Sequence, residues 1–263
     1  MFDITKDKHL AVTVVEQRSL SSTSTDPDVN RGANARRSNF GVQRVEILAG
    51  NVGYFNLTSF YRPEEAGEAI SAAMKMLRSA DALIIDMREN GGGSPDTVAL
   101  VISYLFEAPE LPLFGIVPRS GEGGRQYKTL ESGPSDRNGI RPIYVLTAKQ
   151  TFSAGEGLAF LLQERSRAKI VGEQTAGAAN PGRHYPVNAH LEVTVPNGQV
   201  RTAVTGSNWE GKGVVPDVLV PASDALRTAH MLALRGLLDD NPDGAWQEKL
   251  KQLPEMLEML GKH

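Results

Sequence analysis

The spacing of apolar residues along this 263-residue chain changes repeatedly, and each change predicts an element. The opening stretch, Phe2 to Val15, ends in a short β-type run through Val12, Val14 and Val15. Residues 17 to 44 are rich in Ser, Thr, Arg, Asn and Gly and almost free of large apolar side chains. Such a stretch buries too little surface to offset ordering, so a long mobile loop is expected. From Val45 the pattern becomes α/β. Val52 to Leu57 reads as a strand, and Pro63 then opens a helix at the position that tolerates proline best. Ile70, Ala73, Met74 and Leu77 recur at helical spacing and mark its inner face. Ala82 to Met87 is a nearly continuous apolar run, as expected of a strand covered on both faces. Glycines 91 to 93 end it, and a helix follows with Val98, Val101, Ile102 and Leu105 inward.

Leu113 to Val117 and Ile143 to Thr147 predict two further buried strands, separated by a polar, Gly/Pro-rich loop over about residues 119 to 140. A helix is expected from about Ala154 to Arg165, then the strand Lys169 to Gly172. A β-hairpin follows, with arms His190 to Val195 and Gln199 to Val204 around the turn Pro196-Asn197-Gly198. An amphipathic helix spans about Asp224 to Leu238, and a last helical stretch, Ala245 to Leu260, is interrupted at Pro254. No internal repeat and no low-complexity tract is visible.

Composition narrows the classes. Apolar residues make up 40% and charged residues 22%, ordinary globular usage. A net charge of −3 disfavours a dedicated phosphate-backbone binder, so no nucleic-acid partner is expected. No apolar run approaches the roughly 20 residues that span a bilayer. Met1 to Leu10 carries no export-signal pattern, and its abrupt start predicts further chain upstream. Without cysteine the chain has no disulfide, no thiol nucleophile and no Cys-ligated zinc. No His/Asp/Glu spacing suggests a metal, and no cofactor is expected.

Candidate chemistry concentrates at two turns. The strand through Tyr144-Val145-Leu146 runs on to Thr151-Phe152, and a helix begins just after Ser153. A serine at such a bend exposes its hydroxyl above a helix N-terminus, whose free N–H groups suit a developing oxyanion. The plainer reading is an N-cap, with Glu156 completing a capping box. The second turn, Asp86-Met87-Arg88-Glu89-Asn90-Gly91-Gly92-Gly93-Ser94, follows the buried strand. Its glycines let the backbone approach a reacting atom, although a plain tight turn reads the same way. A nucleotide phosphate loop lacks its Gly-Lys-Ser/Thr here.

Taken together, these segments resemble the S41 peptidases. The resemblance rests on Leu83 to Gly93, Thr151-Phe152-Ser153-Ala154-Gly155-Glu156, Ile170 to Gly177 and Trp209 to Asp217, in that order. It implies a ClpP/crotonase-like α/β spiral of ββα units, here with a C-terminal helical segment. It is similar to the branch that includes interphotoreceptor retinoid-binding protein modules and to tricorn-like enzymes. The carboxyl-terminal-processing branch pairs its serine with a lysine in a Gly-Lys-Gly-Thr stretch, but here Ala178 holds that place. Lys169 lies before the strand and does not substitute for it. The tricorn-like branch uses a histidine from an Asp-x-His motif and a glutamate ahead of Gly-Val-x-Pro-Asp. Asp7-Lys8-His9 and Glu210 before Gly213-Val214-Val215-Pro216-Asp217 match both.

The resemblance therefore implies Ser153 as nucleophile, His9 as base and Glu210 as the orienting carboxylate, with Gly92, Gly93 and Ala154 supplying the oxyanion hole. His184 is the rival base, since it follows the Gly177-rich loop. The expected organisation is a start of the core at 1–16 carrying the histidine, a flexible loop at 17–44, the S41-like core at 45–238 and a helical extension at 239–263. The implied function is a serine peptidase acting on peptides or unfolded proteins. The alternatives are a non-catalytic binder of retinoid- or fatty-acid-like ligands and a crotonase-type acyl-CoA enzyme. The family setting points outside the cytoplasm. Oligomeric state is not legible.

Overall fold

A computed structural model describes residues 8–14, 35–121, 123–131, 141–240, 248 and 251–253. Strand β1 (Ala11–Val14) is followed, from Val42, by β2 (Val42–Leu48), β3 (Val52–Leu57), helix α1 (Pro63–Met76), β4 (Ala82–Asp86) and α2 (Pro95–Ser103). Then come β5 (Pro112–Pro118), β6 (Arg125–Lys128), β7 (Ile143–Thr147), α3 (Ala154–Gln163) and β8 (Lys169–Gly172). The last elements are β9 (Gly182–Pro186), β10 (Leu191–Pro196), β11 (Gly198–Thr202), β12 (Val218–Leu219) and α4 (Ala222–Asp240).

The centre is a six-stranded sheet in the order β12-β8-β7-β4-β3-β2, parallel except for β2. Successive side chains on a strand point to opposite faces. Leu83 and Ile85 of β4, Phe55 and Leu57 of β3, and Ile143 and Val145 of β7 therefore pack on one side, against Ile70 of α1, Val101 and Ile102 of α2, and Leu158 and Leu162 of α3. Ala82, Ile84, Val52, Tyr54, Tyr144 and Leu146 face the other side, where α4 lays Ala225, Ala229, Ala233 and Leu237 on the sheet. Both faces being covered explains why β4 reads as an apolar run. Each large side chain so buried contributes about 1.5–3 kcal/mol. The architecture is thus mixed α/β, as expected, with a helix at its C-terminal side.

Asp86 ends β4 almost fully buried. Arg88 chelates it through Nε and Nη2, Tyr54 donates its hydroxyl to it, and Arg88 Nη1 reaches Ala222 O at the start of α4. Burial and the Asp86 carboxylate hold the Tyr54 phenol well above its usual pKa. No helix among the described residues is long and apolar enough to cross a membrane.

Two smaller sheets depart from the expected pattern. The predicted hairpin of β10 with β11 does not form. β10 lies between β1 and β9, while β11 pairs with β5. Proline 196 lacks a donor and the chain breaks direction beside it, with Asn197 N–H donating to Pro181 O and Asn197 O accepting from Arg119 N–H. The expected loop over 119–140 also carries a strand, β6, paired to β5. Of the expected opening loop, residues 35–41 form short helical turns and β2 begins at Val42, ahead of the expected Val45. Asp7, residues 15–34 and most of the last helical stretch, including Pro254, lie outside the described residues.

Candidate active site

Strand β7 delivers the chain to a tightly tied turn. Thr151 donates its hydroxyl to Met87 O and accepts from Ala148 N–H, and Phe152 N–H donates to Asn90 O. Ser153 follows at φ 52° and ψ −118°, left-handed backbone that a residue with a Cβ seldom adopts. Such strain persists only where the surroundings over-determine it, and it gathers at functional turns. Helix α3 begins at the next residue. Ala154 N–H therefore has no acceptor within the helix, as for any first-turn amide.

The Ser153 hydroxyl meets His9. Nε2 lies 3.3 Å from Oγ although 144 residues separate the two in sequence. This is the loose end of hydrogen-bonding distance, usual for catalytic pairs before substrate tightens them. The imidazole also stands against the Phe152 ring, centroids 5.0 Å apart. His9 is placed by β1, which begins two residues later and pairs antiparallel with β10. Its neighbour Lys8 donates to Ala176 O.

The glycine loop packs against the serine turn. Gly92 packs so closely that a Cβ there would stand 2.8 Å from Ser153 Cβ. The sequence reading counted Gly92 among the oxyanion donors, and here it is corrected. Its N–H donates to Asn90 Oδ1 at 2.8 Å, so Gly92 contributes closeness rather than a hydrogen bond. Gly93 is bracketed by two bonds that use its neighbours' groups, Phe60 N–H to Gly92 O and Ser94 N–H to Phe60 O. That bridge turns Gly93 N–H away from Phe60, and Gly93 lines the same pocket as Ser153.

Glu156, read from sequence as half of a capping box, does more. It is fully buried, and its two oxygens accept from Ser153 N–H, Thr175 Oγ1, Gly177 N–H and Ala178 N–H at 2.6–2.9 Å. Burial pushes its pKa up while these four donors pull it down. Because every partner is a donor, the geometry is that of a carboxylate. Glu156 thus ties the nucleophile turn to the loop after β8.

Glu210 holds the same loop from outside. Its Oε2 accepts from Ala179 and Asn180 N–H at 2.7 and 2.8 Å, while Oε1 is buried with no partner among the described residues. Neither oxygen bonds to His9 or Ser153. Trp209 Nε1 donates to Ala178 O, and Gly211 N–H to Gly177 O. Ala178, where the resemblance would allow a lysine, is fully enclosed by these straps. The rival base is elsewhere: His184 sits exposed on β9, with Nδ1 against Thr194 Oγ1 and Glu192 Oε1.

Beside Ser153 opens an apolar pocket of about 90 Å³, walled by Val98, Phe114, Leu161, Val200 and Trp209. A strained serine at a helix N-terminus, an imidazole on its hydroxyl and an apolar recess alongside are the parts that a nucleophilic serine requires.

The family model described as Peptidase family S41 matches residues 51–220, and the chain belongs to that family. Ser153 and Glu210 lie inside the matched stretch and His9 outside it. The carboxy-terminal processing protease CtpB of Bacillus subtilis is 25% identical over 234 residues, covering 82% of this chain and 46% of its own. The carboxy-terminal-processing protease of Bartonella bacilliformis is 29% identical over 185 residues, covering 67% and 40%. The chain thus spans less than half the length of these curated relatives. Among solved structures, a photosystem II D1 C-terminal processing protease superposes with a TM-score of 0.51 at 25% identity, over 65% of this chain and 42% of that one. Mature CPAF shares the fold, with a TM-score of 0.52 at 19% identity over 66% and 48%.

Proposed function

We propose that this chain hydrolyses peptide bonds through an acyl-enzyme on Ser153, with His9 as general base. The observation that carries this reading is the approach of His9 Nε2 to Ser153 Oγ at the N-terminus of α3. As Oγ attacks the scissile carbonyl carbon, Nε2 takes its proton. The carbonyl oxygen becomes an oxyanion and is received by the N–H groups of Gly93 and Ala154, two donors aimed where charge develops. The imidazolium then gives its proton to the leaving amine, and the C–N bond breaks. Water, deprotonated by the same nitrogen, attacks the ester and frees Ser153.

Glu210 orients rather than touches: it fixes Ala179, which lines the pocket. That pocket suits an apolar side chain next to the scissile bond, in a peptide or an unfolded protein. Nothing in the site's geometry favours a non-catalytic apolar-ligand carrier, which needs no histidine on a strained serine. Ser153→Ala should abolish labelling by a fluorophosphonate probe and lower turnover by at least about 10⁴, with the thermal midpoint preserved or raised. Undiminished labelling of that folded variant would refute the assignment.

A further inference from the structure

We infer that Asn90 is the positioning residue of the oxyanion hole, an inference that rests on the proposed role of Ser153. Asn90 is fully buried at the turn after β4. Its side chain uses both ends. Nδ2 donates to Leu57 O, at the end of β3, at 2.7 Å, and Oδ1 accepts from Gly92 N–H at 2.8 Å. Only an amide of this length both donates and accepts in one plane, so neither Asp, Leu nor Ala reproduces the pair. The residue's backbone carbonyl separately accepts Phe152 N–H at 3.0 Å, one peptide before the nucleophile. One residue thus sets the distance between the two halves of the site: its main chain holds the serine turn and its side chain holds the glycine loop.

The consequence for the hole is geometric. The Gly92 amide and the Gly93 amide flank one residue. A trans peptide sets N–H opposite to C=O, so the bond from Phe60 N–H to Gly92 O turns Gly93 N–H away from Phe60 while Asn90 fixes the amide before it; Gly93 and Ser153 line the same pocket. Released from Oδ1, the loop would keep its glycines and lose that aim. The nucleophile helix is shaped around the same side chain. A Cβ on Gly155 would lie 2.6 Å from Asn90 Oδ1 and 3.1 Å from its Cγ, so the first turn of α3 admits no side chain there.

This arrangement predicts a particular defect. Asn90→Ala leaves the carbonyl that holds Phe152, so Ser153 and His9 keep their places, while the Gly93 donor is misaligned. Loss of one such donor costs about 10²–10³ in turnover. The test uses the intact chain with a fluorophosphonate, a peptide substrate, and a peptide aldehyde that forms a tetrahedral oxyanion on the serine. Expected are a kcat lower by about 10², an essentially unchanged KM, and aldehyde affinity that falls in proportion to kcat. Gly155→Ala, which displaces the Asn90 side chain by crowding instead of removing it, should give the same signature and guards against a misfolded alanine variant.

If Asn90→Ala and Gly155→Ala are folded, label normally and bind the aldehyde as tightly as wild type, the role of Asn90 is overturned while that of Ser153 stands. If kcat and KM deteriorate together and the aldehyde loses no more affinity than substrate, Asn90 is merely structural and the inference also falls. A wild-type protein that neither labels nor turns over peptide would overturn both.

Discussion

The two halves of the site are built to different standards. Ser153 stands where β7 meets α3, and its turn is tied to Met87 and Asn90 after β4 and, through the buried Glu156, to the loop after β8. His9 arrives instead from the edge of a three-stranded sheet outside the main core. All four residues of β1 are exposed, Val12 by 51% and Val14 by 77%. The halves meet where His9 Nε2 stands 3.3 Å from Ser153 Oγ, its ring against Phe152 and Lys8 on Ala176 O. Ser153 and the glycine loop are therefore held by the core, whereas the place of His9 depends on how well a peripheral sheet is seated. Regions with few buried contacts open at lower free energy than the core. Activity should be lost on perturbation before the fold is.

The largest effect expected from breaking this asymmetry lies on the weaker side. His9→Ala should lower kcat by roughly 10²–10⁴, the usual worth of a general base, with the denaturation midpoint unchanged, since no core contact is removed. His184→Ala should leave kcat near wild type, because that ring faces Thr194 and Glu192 on β9. Parallel assays of the two variants check the choice, and the reverse ranking would place the base on β9. Wild-type activity should also fall on acidification, because a protonated imidazole cannot accept the serine proton.

On the stronger side the order reverses, and stability is hit first. Glu156→Gln puts an amide among four donors, so one oxygen's two hydrogen bonds are lost and the new NH2 faces either Ser153 and Ala178 N–H or Gly177 N–H and the Thr175 hydroxyl. Bonds to a charged group are worth about 1.5–3 kcal/mol each, and a loss of about 3 kcal/mol or more is expected in urea denaturation. An unchanged midpoint would mean that Glu156 does not tie the turn to residues 175–178. Glu210→Gln sharpens the boundary between the halves. Its amide oxygen can still accept from Ala179 and Asn180, so a stability change of only about 1 kcal/mol is expected, with turnover largely kept. A fall in kcat of about 10² with the same stability would show that the carboxylate charge, and not the loop it holds, serves the reaction.

The same division decided what could be read from sequence. Strands β3, β4, β7 and β8 were legible because both faces are covered, which writes itself as apolar runs such as Leu83-Ile84-Ile85. Strand β9, Gly182–Pro186, left no such mark because four of its five residues are exposed and the strand ends in proline. Residues 190–204 alternate like one hairpin, yet alternation does not say which partner each arm pairs with. Pro196 sends the arms to different sheets. Ser153, His9 and Glu210 came from motif resemblance, and the fold brings the first two together. Gly92 was misread, and Asn90 and Glu156 were undervalued, for one reason. Their roles are side-chain bonds to backbone amides, and neither spacing nor composition records those.

A last consequence follows from the backbone of Ser153. At φ 52° its Cβ sits where the polypeptide disfavours one, and left-handed residues with side chains cost of order 1–3 kcal/mol. Glycine fits that conformation freely. The residue proposed as nucleophile is thus also a local burden on the fold, and its replacement by glycine relaxes the turn. In evolutionary terms the scaffold has a downhill path to inert descendants. A lineage released from selection for hydrolysis would lose the serine first and become more heat-resistant as it did so.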